Sequence, residues 1–375
     1  MGPPDGLPGP LPRGFPVIVG DGVMRSKSKT PGRARPTRAS SSVKVEVHDR
    51  FEAVAPTEWD RLVGASRLRS PFLTWTWQAE WARAFATGRR LEIRRVEDGA
   101  GQTVALLPLF EAKPGVLTAV GGAEVSDYLD LIAVVGREEE AWMALLQSRA
   151  TERVVWELHA VPGASPTVTA LPQLAQACGL EAAVAVEERC PVLTLPATWE
   201  AYLAALSAKH RHELARKTRR LEREAPDARP SCAVQAEEVQ TRLGDFLDLH
   251  RRSRTGKARF MDARMEAFFR GAVTALAQRG AARLWFLDTP AGPIASFIAL
   301  EWDGTVGLYN SGFHPDRAAL SPGVVLLGHL IRDAIERGKR RFDFLRGEER
   351  YKHEFEPVLE EVFHVRIGRA APRQS

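Results

Sequence analysis

Between Thr305 and Leu345 the hydrophobic period changes twice, and this restricts the fold more than any other feature of the chain. TVGLYNSGF alternates like a strand, GVVLLGHLIRDAIERG repeats apolar residues at helical spacing, and RRFDFL returns to a short apolar strand. Strand, helix, strand in that order belongs to an α/β sheet with helices packed on it. Two further strand signals precede this unit, AARLWFLD and IASFIALEW. They are joined by a Pro/Gly turn over 289–293 and followed by an Asp303-Gly304 turn. Ahead of them the pattern predicts the strand PVLTL, one long basic helix over 199–225, and helices near 237–252 and 262–279. After RRFDFL it predicts a short helix through 348–355 and a last strand, EVFHVRIG.

The first half reads in the same way. VKVEV at 43–47 is a strand signal, followed by helices near 57–65 and 75–85 and by the hairpin LEIRRVEDGAGQTVALLPLFEA with its turn at 97–102. A strand near 128–134, a helix over 138–148, a strand over 153–159, a helix over 167–178 and a strand over 182–188 complete it. A boundary near 187–191 gives two domains, 43–188 and 189–370, each of ordinary size. Phe72, Trp75, Trp77, Trp81 and Phe85 read as core or groove lining.

The remaining residues, 1–42, are rich in Pro, Gly, Ser and Arg and offer little apolar surface to offset ordering, so disorder is expected. The chain holds 52 Lys/Arg and 47 Asp/Glu, of which eight and two fall in the first 44 residues. The remainder holds 44 and 45, so the high pI reflects the tail and gives no reason to expect nucleic acid. FPVIVG is too short for a secretory core, and the sequence allows a start at Met24. Cys178, Cys190 and Cys232 are widely spaced and form no CxxC, which argues against a disulfide framework and a structural zinc site. No metal is expected. No apolar run reaches the length of a membrane span, and a cytoplasmic protein is expected.

Candidate chemistry gathers late in the chain. Ser321-Pro322-Gly323 opens a helix: Ser suits the N-cap and Pro the first turn. Gly323 leaves the N–H groups of Gly323, Val324 and Val325 open to an anion. The same tripeptide also reads as a plain helix cap. Asp343 interrupts the apolar strand FDFL, and Arg346, Tyr351 and Lys352 follow at once. Asp343 could take a proton, Tyr351 give one, and Arg346 and Lys352 hold an anion; a structural ion-pair network fits the same residues. His250, before the basic loop 251–259, and Tyr309 are further candidates for catalysis. Lys209 and Arg211 lead the basic helix, whose apolar stripe runs Leu203, Leu206, His210, Leu214, Leu221. GxSxG, HExxH, the P-loop and GxGxxG at a strand–helix turn are absent, which removes the commonest hydrolase, NTPase and dinucleotide readings.

SGFHPDRAALSPGVVLLGHLIRDAIERGKRRFDFLRGEERYKHEFEP resembles the C-terminal signature of GNAT-type acyltransferases of the CelD, cellulose-biosynthesis group, which are related to the FemAB-type double-GNAT transferases. LDLHRRSRTGKARF, RSPFLTWTWQAEW and VSDYLDLIA are similar in style. The resemblance implies two tandem GNAT-like α/β (α+β) domains with mixed, mainly antiparallel sheets. It implies acetyl-CoA or another acyl-CoA as donor, its pyrophosphate at Ser321, Gly323, Val324 and Val325. Direct attack by an amine or hydroxyl would follow, with a backbone N–H at a splay between TVGLYNSGF and RRFDFL holding the thioester oxygen. The Q/R-x-x-G-x-G/A loop of the family is replaced here by Ser321-Pro322-Gly323. The implied acceptor is a small molecule or glycan, with polysaccharide-biosynthesis proteins as partners. The alternatives are a FemAB-like aminoacyl transferase using aminoacyl-tRNA, and a non-catalytic scaffold in polysaccharide assembly.

Overall fold

The computed structural model describes residues 43–149, 152–253 and 255–369, so the expected disordered tail lies outside it. Thirteen strands form one mixed sheet. They are β1 Lys44–His48, β2 Leu91–Glu97, β3 Thr103–Lys113, β4 Val116–Ala119, β5 Ile132–Ala133, β6 Val155–Pro162, β7 Leu180–Thr194, β8 Arg229–Ala233, β9 Ala282–Thr289, β10 Gly292–Trp302, β11 Thr305–Phe313, β12 Arg341–Asp343 and β13 Val358–Arg369. The order across the sheet is β1-β2-β3-β4-β6-β13-β7-β12-β11-β10-β9-β8, with β5 on β3. The pairs β4–β6 and β11–β12 are parallel and the others antiparallel.

The two halves share this sheet. Residues 182–188 and PVLTL, expected as two strands either side of a boundary, are one strand, β7. It pairs with β13 from Leu180 to Val192 and with β12 from Val192 to Thr194. The last strand therefore lies between β6 of the first half and β7. One apolar cluster also crosses the boundary: Trp77 packs edge-on against Phe268 and Tyr309, and Phe72 packs against Trp77 and Tyr309. Each such ring pair adds about 1 kcal/mol beyond the area it buries.

Strand alternation builds the two faces of the C-terminal half. In β10, Ile298 and Leu300 join the cluster with the helices Ala236–Ser253 and Ala263–Gln278. Phe297 and Ala299 point the other way, onto the helix Pro322–Glu336. Phe342 and Phe344 lie in this second cluster and Leu345 in the first, the split that period-two alternation gives FDFL.

Several local expectations are corrected. The basic helix is two helices, Trp199–Ala205 and Ala208–Glu224, broken at Leu206 because Ser207 caps the second by accepting from the His210 N–H. His210 leaves the apolar stripe and pairs with Glu356. The basic loop after His250 contains a helix, Thr255–Phe260. The stretch 348–355 holds only a 3₁₀ turn, Lys352–Phe355. The strand β8 was not foreseen.

Candidate active site

Strands β11 and β12 pair only at Thr305–Arg341, Val306–Phe342 and Gly307–Asp343. Beyond that point β11 continues to Phe313 while β12 ends at Asp343, so the sheet opens between these strands, as the resemblance implied. Tyr309 is an extra residue opposite Ile298 and Ala299 on β10, a bulge at the mouth of the opening. Gly312 lets the helix Ala236–Ser253 press against β11: a Cβ there would lie 2.6 Å from the His250 nitrogen. The opening is thus held by close backbone packing.

A cleft of about 340 Å³ fills the space between the splay and the start of the helix Pro322–Glu336. Ser311, Gly312 and Phe313 form one wall, Ser321 to Val324 another, and Glu349, Tyr351 and Glu354 a third, with Lys217 and Lys257 at its edges. The Lys257 ammonium donates to the Ser311 carbonyl and hydroxyl. The Lys217 ammonium pairs with Glu354 and Glu213. The pocket thus joins two ammonium groups, two carboxylates and the start of a helix.

The helix start differs in detail from the sequence expectation. Ser321 adopts a left-handed conformation (φ 51°) and its hydroxyl caps nothing. Its carbonyl instead accepts from the N–H groups of Val324 (3.0 Å) and Val325 (3.2 Å), so these two donors are not open to an anion. Val325 is buried, whereas Gly323 and Val324 face the cleft. A Cβ at Gly323 would meet only Phe297, at 4.0 Å, so the glycine leaves ligand space rather than relieving a clash.

Of the four candidate catalytic residues, Tyr351 lines this cleft and the other three are placed elsewhere. Asp343 is fully buried: Oδ2 accepts from the Tyr128 hydroxyl (2.8 Å) and Arg341 (3.0 Å), and Oδ1 from the Leu345 N–H (2.8 Å). Burial raises its pKa, against the opposing pull of Arg341 and Tyr128. Tyr309 donates to the Val125 carbonyl at 2.8 Å, and burial pushes its phenol well up. His250 lies in the last turn of the helix Ala236–Ser253, at the helix end as expected, and is buried. Burial, then Lys257, push its pKa down to about 3, with a hydrogen bond to Asn310 opposing.

Of the expected anion-holding residues, Arg346, Lys352 and Arg211 are engaged by groups of the protein itself. Arg346 binds Asp127 and the carbonyls of Ala123 and Ser126, clamping the two halves together. Lys352 is buried, and its ammonium donates to the carbonyls of Phe344 (3.0 Å), Arg346 (3.0 Å) and Gly347 (2.9 Å) and pairs with Glu349 (2.8 Å). Arg211 caps the preceding helix through the Leu203 and Leu206 carbonyls and borders a separate groove. Lys209 is exposed and lines neither cleft described here.

Lys217, Lys257 and Glu349 were not singled out as site residues. Lys217 carried a readable signal: it stands at i+3 from Leu214 and i−4 from Leu221, a charge on the apolar stripe of its helix.

A second opening, about 510 Å³, lies between the halves. Glu124, Val125 and Asp127 line it from the first half, Glu188 from β7, and Phe260, Tyr309, Asn310, Arg346 and Gly347 from the second. Asn310 and Ser311 are adjacent on β11, and the stretch 346–351 borders both openings, so the two flank the splay.

Residues 208–353 match the family model described as an acetyltransferase (GNAT) domain. No curated protein matches the sequence. Among solved structures, a conserved protein of unknown function from Bacteroides thetaiotaomicron VPI-5482 aligns with TM-score 0.57 and 11% identity, over 86% of this chain and 99% of that one. FemX aligns with TM-score 0.56 and 12% identity, over 85% and 96%. A C-terminal domain assigned to lysylphosphatidylglycerol synthetase from Agrobacterium fabrum aligns with TM-score 0.55 and 12% identity, over 83% and 92%. The chain has a GNAT-like fold, a mixed sheet flanked by helices, and its splay and cleft lie within the segment that matches the GNAT acetyltransferase domain.

Proposed function

We propose that the protein transfers an acyl group from an acyl-CoA, acetyl-CoA first, to an amine or hydroxyl acceptor by direct attack. The observation that carries this reading is the splay of β11 from β12 opening onto a cleft that ends at the helix start Pro322-Gly323. In this reading the donor's phosphates lie near the Gly323 N–H, Lys217 and Lys257, and the thioester lies in the splay. The Ser311 N–H, which Asn310 Oδ1 meets at 2.8 Å, is the donor for the thioester oxygen once that side chain turns aside. The acceptor's lone pair forms the new bond to the acyl carbon and the C–S bond breaks; Tyr351, which lines the cleft, gives its proton to the leaving thiolate and regains one from the acceptor's N–H or O–H through water.

The acceptor enters from the opening between the halves. Arg346 is neutralised there by Asp127, while Glu124 and Glu188 add negative charge, which favours an amine-bearing acceptor over an anionic one. Resemblance to the CelD group supports a glycan-related acceptor.

A second reading is aminoacyl transfer, the activity in the name of the lysylphosphatidylglycerol synthetase whose domain shares this fold. The exposed Lys209 and Arg219 on the helix Ala208–Glu224 favour it. Calorimetric titration with acetyl-CoA separates the two. Saturable binding that disappears in a folded Gly323→Trp variant supports the first reading. No binding to the parent protein overturns it and directs the search to aminoacyl-tRNA.

A further inference from the structure

Beside the second opening, where Glu188 lines it, three adjacent strands become irregular at the same level. Glu187 is the extra residue of β7 where its register with β13 shifts between Val362 and Phe363. The pairing of β13 with β6 shifts between Phe363 and Val365, which sets His364 opposite His159 and Ala160. Ala160 itself adopts φ 54°, unusual for a residue with a Cβ and rarer still inside a strand. One carboxylate organises the irregularity: Glu187 accepts from the Ala160 N–H at 2.7 Å and bonds His159 Nδ1 at 2.6 Å.

That bond orients the His159 ring and leaves Nε2 available. The His364 ring stacks on it at 4.4 Å with planes 10° apart, and His364 Nε2 is buried without a hydrogen-bond partner. Burial, then His159, lower the pKa of His364. Glu157 stands two residues from His159 on the same strand face, and donor atoms of Glu157, His159 and His364 all lie within 4.8 Å of one another. Glu157 also pairs with Arg366 at 3.6 Å.

We propose that Glu157, His159 and His364 form a binding site for a divalent zinc-type cation, with Glu187 orienting His159 from behind. Two imidazoles and one carboxylate are a donor set for such an ion, and a carboxylate behind a ligating histidine is its usual support. Ligation draws the donors to the ~3.4 Å spacing of a tetrahedron with bonds of ~2.1 Å. It turns one ring out of the stack about its Cβ–Cγ bond, which is a soft torsion. The fourth position takes water. The ion would fasten β13 to β6 independently of acyl transfer.

The test is equilibrium dialysis of the full, untagged chain against Zn²⁺, with Co²⁺ as an optical probe. The expected result is one equivalent of Zn²⁺, a Tm that rises with free Zn²⁺, and visible Co²⁺ bands without thiolate charge transfer. His159→Ala and His364→Ala abolish the binding, and Glu187→Gln weakens it about 10- to 100-fold. If the histidine variants do not fold, Glu157→Gln at the rim of the site must reduce the affinity instead. Absence of saturable binding, binding that survives all of these substitutions, or a thiolate-to-cobalt band overturns the proposal.

Discussion

The stretch 340–357 serves two regions that are equally polar and physically opposite. In the seam between the halves, Asp343 and Lys352 are buried, met by Tyr128, Arg341 and backbone carbonyls, and line neither opening. In the cleft, Tyr351, Glu349 and Glu354 border about 340 Å³ of open volume beside two lysines. Residue type alone does not separate a group that holds a structure together from one positioned to react. What separates them is whether open volume adjoins the group, since the cleft carboxylates are paired too, Glu349 with Lys352 and Glu354 with Lys217.

This contrast can be broken most sharply at Asp343. Asp343→Ala strands the Tyr128 hydroxyl and Arg341, and should cost about 3–5 kcal/mol in urea unfolding while the folded fraction still binds the donor. Lost binding with unchanged stability would move Asp343 from the seam to the chemistry. A smaller effect comes from His250. Its folded pKa lies below the unfolded value near 6.5, so its contribution to stability is present above pH 6.5 and is lost as pH falls toward about 3. Stability should drop by about 2 kcal/mol between pH 6.5 and 5 from this group, and the drop should disappear in His250→Leu. On the cleft side, Lys257→Ala should raise the donor Kd about tenfold in calorimetry, with Tm nearly unchanged. Smallest is Gly323→Ala, whose Cβ meets only Phe297. Its unfolding free energy should stay within about 0.5 kcal/mol of the parent, so any loss of donor affinity reports on space in the cleft.

Much of the C-terminal half was legible because β9, β10 and β11 and the helix Pro322–Glu336 each carry a clean period. The strand β7 was not. Its middle, EERCP, has the charges and the proline of a linker, and only pairing with β13, about 170 residues later, shows it to be continuous. The break at Leu206–Ser207 could have been read from Ser207 as an N-cap, but the helical stripe appeared to run through it. At the site, the helix start was visible in the sequence, and the splay was implied by the family resemblance. The status of Asp343 and Arg346 was not, because the groups that satisfy them come from more than 200 residues upstream. The opposite happened with Val324 and Val325. Their donors looked open until the left-handed turn at Ser321 directed its carbonyl at them.

The place of β13 also bears on how the chain is made. As it leaves the ribosome, β6 and β7 are complete while the strand between them has yet to be synthesised. Until it arrives, both expose a row of unpaired backbone groups, a template for pairing with a neighbouring chain. Contacts that join such distant segments also form slowly. A nascent or truncated chain ending before Val358 should therefore aggregate through these two edges, and a peptide spanning 358–369 supplied in trans should suppress it.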